Sequence, residues 1–136
     1  MRDGQHFLPG CSTAPGTARR ITAEALGEHP LLAETELVVS ELVTNALRHT
    51  RSGQPGGMIG MTVERNGEAI RIEVVDNGPR ADRPGSSPAV LPCDLSREHG
   101  RGLLLVDSLA HEWGVTDHPN GYRSVWVLLR EDETNA

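Results

Sequence analysis

Val39-Ser-Glu-Leu-Val-Thr-Asn-Ala-Leu-Arg-His49 sets an acid, an amide and an imidazole four residues apart, at Glu41, Asn45 and His49. At about 100° per residue, a helix carries the three onto one flank in steps of about 40°. Leu37, Val38 and Leu42 are expected to share that flank, so the polar trio enters a side of the helix that should pack inward. A carboxylate and an amide buried without partners cost several kcal/mol. Something must therefore meet them, either a polar network closed by His49 or a ligand.

Composition narrows the choice. A chain of 136 residues suits one domain that buries roughly two-thirds of its unfolded surface. With one Phe, one Tyr and two Trp, the core has to rest on Leu, Val, Ile and Ala. A formal charge of -6 argues against a general nucleic-acid binder, which needs a cationic surface. Cys11 and Cys93 lack neighbours at metal-ligand spacing, which argues against zinc, and two cysteines do not make a disulfide scaffold. No apolar run resembles a signal peptide or a membrane span, so a cytoplasmic protein without membrane contact is expected.

The pattern predicts a short edge strand at Phe7-Leu8. A helix capped by Ser12 or Thr13, with Pro15 in its first turn, should run to about Gly27, and a second should span about Leu32 to Thr50. Gln54-Pro-Gly-Gly57 is a loop, and Met58–Val63 and Ile70–Val74 are strands joined by an Asn66-Gly67 turn. The stretch 79–99, rich in Pro, Ser, Arg and Gly, is long for a structureless connection and is expected to be a lid. Gly102–Ala110 is an apolar helix, followed by strands at Glu112–Asp117 and Tyr122–Arg130 around Pro119-Asn-Gly121, and by a polar tail over 131–136. This order predicts a single α+β domain over 1–136, with helices on one face of a mixed, largely antiparallel sheet.

Two further segments carry chemistry. Asp76 closes a strand ahead of Asn77-Gly78, where a carboxylate can accept from an exocyclic amine and Gly78 lets a flat base approach. The same tripeptide is equally an ordinary turn. His99-Gly-Arg-Gly102 feeds the Leu103–Val106 helix, and backbone amides at such an entry can hold a phosphate. It also fits a glycine entry without a ligand. The spacing is neither a P-loop nor a dinucleotide fingerprint.

The order Glu-x-x-x-Asn helix, strand-Asp-x-Gly, loop, Gly-x-Gly helix resembles the ATP-binding domain (Bergerat-type fold) of histidine kinases, type II topoisomerases, Hsp90 chaperones and MutL. Within that superfamily the chain looks most like the anti-sigma-factor serine/threonine kinases. The resemblance implies Asn45 as a Mg²⁺ ligand beside the triphosphate, Glu41 as general base, and Arg48 as a basic residue able to reach a phosphate. It implies Asp76 and Gly78 at adenine, Gly100, Arg101, Gly102 and amides around Leu103 at the phosphates, and Ser124 near the base. It further implies ATP and Mg²⁺, a small anti-anti-sigma-like protein as substrate, a sigma factor as second partner, and a homodimer. An ATP-dependent binding switch with little turnover would use the same contacts. The chain departs from the family pattern at Pro79-Arg80, where a further glycine is usual, and at Tyr122-Arg123, where glycine and lysine are common.

Overall fold

The computed structural model describes residues 5–78 and 98–131, with the backbone alone for 98–103. Strand β1 (Gln5–Pro9) leads into helix α1 (Ala14–Leu26) and helix α2 (Leu32–His49), and a single 3₁₀ turn covers Arg51–Gly53. Strands β2 (Met58–Asn66) and β3 (Ala69–Asp76) form a hairpin. After helix α3 (Glu98–Leu109) come β4 (Glu112–Asp117) and β5 (Arg123–Arg130). The five strands lie in the order β1-β2-β3-β5-β4, and every described pairing is antiparallel. Among the described residues the sheet is thus antiparallel throughout, not mixed. The pairs β2–β3 and β4–β5 close through short turns, β2 comes back beside β1 after the two helices, and β5 returns beside β3 in the opposite direction.

Period-two alternation divides the sheet into two faces. Ile59, Met61 and Val63 of β2, Ile70, Ile72 and Val74 of β3, and Val125, Val127 and Leu129 of β5 are all buried. Register aligns them in rows such as Val63–Ile72–Val127 and Met61–Val74–Val125. Val38, Val39, Leu42, Val43 and Ala46 of α2, with Ala18 and Leu26 of α1, complete this aliphatic core. The helices therefore occupy one face, as expected for a two-layer α+β sandwich. Trp113 joins the layers by donating its indole N–H to Asp107 Oδ1 on α3 at 2.7 Å. Trp126, one face over, lies against Gly114 and beneath the Arg71 guanidinium, 5.9 Å from its ring centre.

Three local details differ from expectation. Asn66 pairs with Ala69, so the hairpin turn is Gly67-Glu68 and not Asn66-Gly67. Only Gly67 takes a positive φ there (62°), as a turn with glycine at its first central position requires. Leu37, placed on the inward flank by the sequence, is exposed. Helix α3 begins at Glu98, four residues before Gly102, so His99 through Gly102 lie in its first turns. The two glycines weaken helix propensity locally, but the apolar run that follows packs the helix against α2 and extends it backward. The expected lid over 79–99 otherwise falls outside the described residues, as do Cys93 and the tail beyond Glu131.

Candidate nucleotide site

Helix α2 delivers Glu41 and Asn45 at the rim of its buried face. Both are half-buried, beside the fully enclosed Leu42, Val43 and Ala46. A carboxylate and an amide at such a rim meet whatever occupies the space next to them. Arg48 is exposed and His49 half-buried in the last turn, where cationic side chains suit the helix C-terminus.

Beyond α2 the chain ties itself to the end of β3. Thr50 turns its hydroxyl back to the Ala46 carbonyl at 2.6 Å and accepts the Ser52 amide at 3.0 Å, which closes the 3₁₀ turn. Arg51 N–H donates to the Gly78 carbonyl at 2.9 Å, and its guanidinium donates twice to the Asn77 carbonyl, at 3.0 and 3.2 Å. Ser52 donates its hydroxyl to the Met58 carbonyl at 2.7 Å and accepts the Asn77 amide at 2.9 Å. Asn77 Oδ1 in turn accepts the Met58 amide at 2.9 Å. The segment carrying Asp76 is thereby fixed to the helix carrying Glu41 and Asn45.

Asp76 itself is 4% exposed. Its Oδ1 accepts the Gly78 amide at 2.7 Å. Burial pushes its carboxyl up to about 6, against the downward pull of that amide and of Arg123. A desolvated carboxylate at a strand end, with one oxygen already committed, has acceptor capacity left for a donor ligand. Gly78 has φ 92°, and a Cβ there would run into the Gly121 carbonyl oxygen. Glycine at 78 thus serves close packing against the β4–β5 turn, which the sequence reading did not anticipate.

The two ends of the expected site fare differently. Asp76 and Gly78 are tied by the Arg51–Ser52 brace to the C-terminal end of α2, and Glu41 and Asn45 stand earlier on that same helix. Gly100, Arg101, Gly102 and Leu103 all lie in α3, which packs on α2. Because the helix starts at Glu98, the amides lacking an intrahelical acceptor are those of Glu98 to Gly100, and the Leu103 amide falls within the ladder. Ser124 is paired with Val75, one residue off the Asp76 row, so it points to the opposite face of the sheet. There it is 1% exposed and lies 2.7 Å from His118 Nε2.

The residue opposite Asp76 is Arg123, 8% exposed, whose Nε donates to Asp117 Oδ1 at 2.7 Å. Sequence reasoning noted Arg123 only as a departure from pattern. The signal that could have found it is the period-two count along β5. Arg51 and Ser52 lie between the expected helix end at Thr50 and the expected loop at Gln54, and Thr50-x-Ser52 is a side-chain turn signature that could have marked them.

Among the described residues no group of three His, Cys, Asp or Glu side chains could hold a metal ion. That is compatible with Mg²⁺ held by one amide oxygen together with phosphate and water oxygens. Among the described residues, no helix is long and apolar enough to cross a membrane.

Residues 12–127 match the family described as the histidine kinase-like ATPase domain. Over 109 residues the chain is 28% identical to serine-protein kinase RsbW of Staphylococcus aureus, covering 75% of this chain and 69% of that one. Over 88 residues it is 32% identical to serine-protein kinase RsbW of Staphylococcus epidermidis, covering 60% of this chain and 55% of that one. The chain thus spans from 55% to 69% of the length of these relatives.

Proposed function

The chain belongs to the histidine kinase-like ATPase domain family, and on that premise we propose that it is an ATP-dependent protein serine/threonine kinase of anti-sigma type. Its substrate is a small anti-anti-sigma-like protein, its second partner a sigma factor, and its setting the cytoplasm. The observation that carries the reading is the buried Asp76 carboxylate, braced through Arg51 and Ser52 to the helix that bears Glu41 and Asn45. The relatives named as serine-protein kinases support the reaction class.

In this reading Asp76 accepts from the adenine amine, and Asn45 offers its side-chain oxygen to Mg²⁺. Bound there, the ion would neutralise charge on the phosphates. The amides at the start of α3, from Glu98 to Gly100, would take the phosphates, with Arg48 and Arg101 assigned as their basic partners. Glu41 orients the substrate serine or threonine hydroxyl and takes its proton as the oxygen bonds to the γ-phosphorus. The bond from phosphorus to the bridging oxygen breaks, and ADP leaves.

Transfer of label from γ-labelled ATP to a purified anti-anti-sigma-type protein tests the proposal. Wild type should label its substrate, and Glu41→Ala should not. Undiminished labelling by Glu41→Ala would remove Glu41 from the role of base. Partner binding that needs ATP but never yields phosphoprotein would instead favour the nucleotide-dependent switch.

A further inference from the structure

Asp76 excludes an acceptor only while it is ionised, because a carboxylate can do nothing but accept, whereas a carboxylic acid both accepts and donates. Adenine presents an amine at C6, a donor, whereas hypoxanthine and guanine present a carbonyl oxygen, an acceptor. The protonation state of this one carboxyl therefore decides whether a 6-oxopurine is excluded. Its surroundings bear directly on that choice.

Charged and titratable groups stand on the elements joined to the Asp76 segment. Across the ladder on β5 stands Arg123, almost wholly enclosed, and beyond it on β4 stands Asp117, exposed and bonded to the Arg123 Nε. Arg51, after α2, holds the adjoining Asn77 carbonyl. On the rim of α2 lie Glu41 and His49. Burial works against the ionised form, the Gly78 amide and then Arg123, in the ladder position directly facing Asp76, favour it, and Asp117 works against it. The guanidinium itself is enclosed and its Nε is held by Asp117, so the positive charge sits within the row Asp76–Arg123–Asp117 of the sheet.

We infer that Arg123 is the positioning residue through which the site selects adenine over 6-oxopurines, by facing Asp76 with a fixed positive charge that keeps it an acceptor. The inference rests on the proposal that Asp76 receives the base. Loss of Arg123 leaves a buried carboxyl with less reason to ionise. In its acid form the group donates to the C6 oxygen of a 6-oxopurine and no longer excludes it.

The test is calorimetric titration with ATP and with ITP, which differ at the C6 position, from about pH 7.5 down to about pH 5. Wild type should prefer ATP by about tenfold or more at the upper end, and the ratio should narrow as pH falls through the range where Asp76 takes up its proton. Arg123→Gln should narrow the ratio already near neutral pH, and Arg123→Lys should keep the wild-type profile. A wild-type ratio that stays flat across the range overturns the inference, and this arm needs no variant to fold. So does an Arg123→Gln profile superimposable on wild type. If wild type binds neither nucleotide, the functional reading fails and this inference fails with it.

Discussion

Asn77 and Ser52 hold each other across 25 residues of sequence: the Asn77 amide donates to the Ser52 hydroxyl at 2.9 Å, and that hydroxyl donates onward to the Met58 carbonyl. Ser52 is fully enclosed, so its oxygen joins three elements where water cannot substitute. Ser52→Ala would orphan a backbone amide and a carbonyl at once, and should destabilise the fold by about 1–3 kcal/mol. Denaturant unfolding measures the loss. ATP affinity should fall as well, because Asp76 is the residue next to Asn77.

Gly78 and Gly27 separate strain from collision. Both have positive φ, but a Cβ on Gly27 would meet nothing within 4 Å, whereas one on Gly78 would strike the Gly121 carbonyl. Gly27, at φ 61° and ψ -141°, lies in a region almost reserved for glycine, so Gly27→Ala should cost about 1–3 kcal/mol from strain alone. Gly78→Ala should cost clearly more, because a collision adds to the strain, and thermal unfolding of the pair would show the difference. Equal losses would mean that the β4–β5 turn yields easily.

Asp76 carries a stability penalty above its titration range. Its carboxyl is raised from 3.8 to about 6 in the folded state, so the folded protein binds the proton more tightly than the unfolded chain does. Stability therefore falls as pH rises from about 4 to about 6, by at most about 3 kcal/mol, and then levels off. Asp76→Asn should be more stable than wild type at pH above that window. The gap should close as pH drops below it, as followed by urea unfolding at several pH values.

Glu41 and Asn45 should separate chemistry from binding. Glu41→Gln should leave ATP affinity within about threefold of wild type yet lower phosphoryl transfer by about a hundredfold or more. Asn45→Ala should instead abolish the gain in ATP affinity on adding Mg²⁺, and calorimetry with and without the ion reads this directly.

The two-layer architecture was legible because α2 and the β2–β3 hairpin carry unbroken periodicity, 3.6 along Val38–Ala46 and two along Ile70–Val74. The start of α3 was not, since Gly100 and Gly102 read locally as a turn and only packing against α2 makes them helical. Ser124 was placed near the base by resemblance, although alternation with Val125, Val127 and Leu129 puts Arg123, not Ser124, on the helix-facing side. That Arg123 stands opposite Asp76 depends on a register between strands that no local pattern reveals. The brace from Arg51 and Ser52 to Asn77 was invisible for the same reason. Its partners are far apart in sequence, and no local pattern links them.

Calorimetric titration of the wild-type chain and Asp76→Asn with ATP, in the presence and absence of Mg²⁺, tests the central claim most directly. The account predicts magnesium-assisted binding to wild type and at least tenfold weaker binding to the variant, which should stay folded. Absence of binding to wild type at about millimolar ATP, or affinity unchanged by Asp76→Asn, would contradict it.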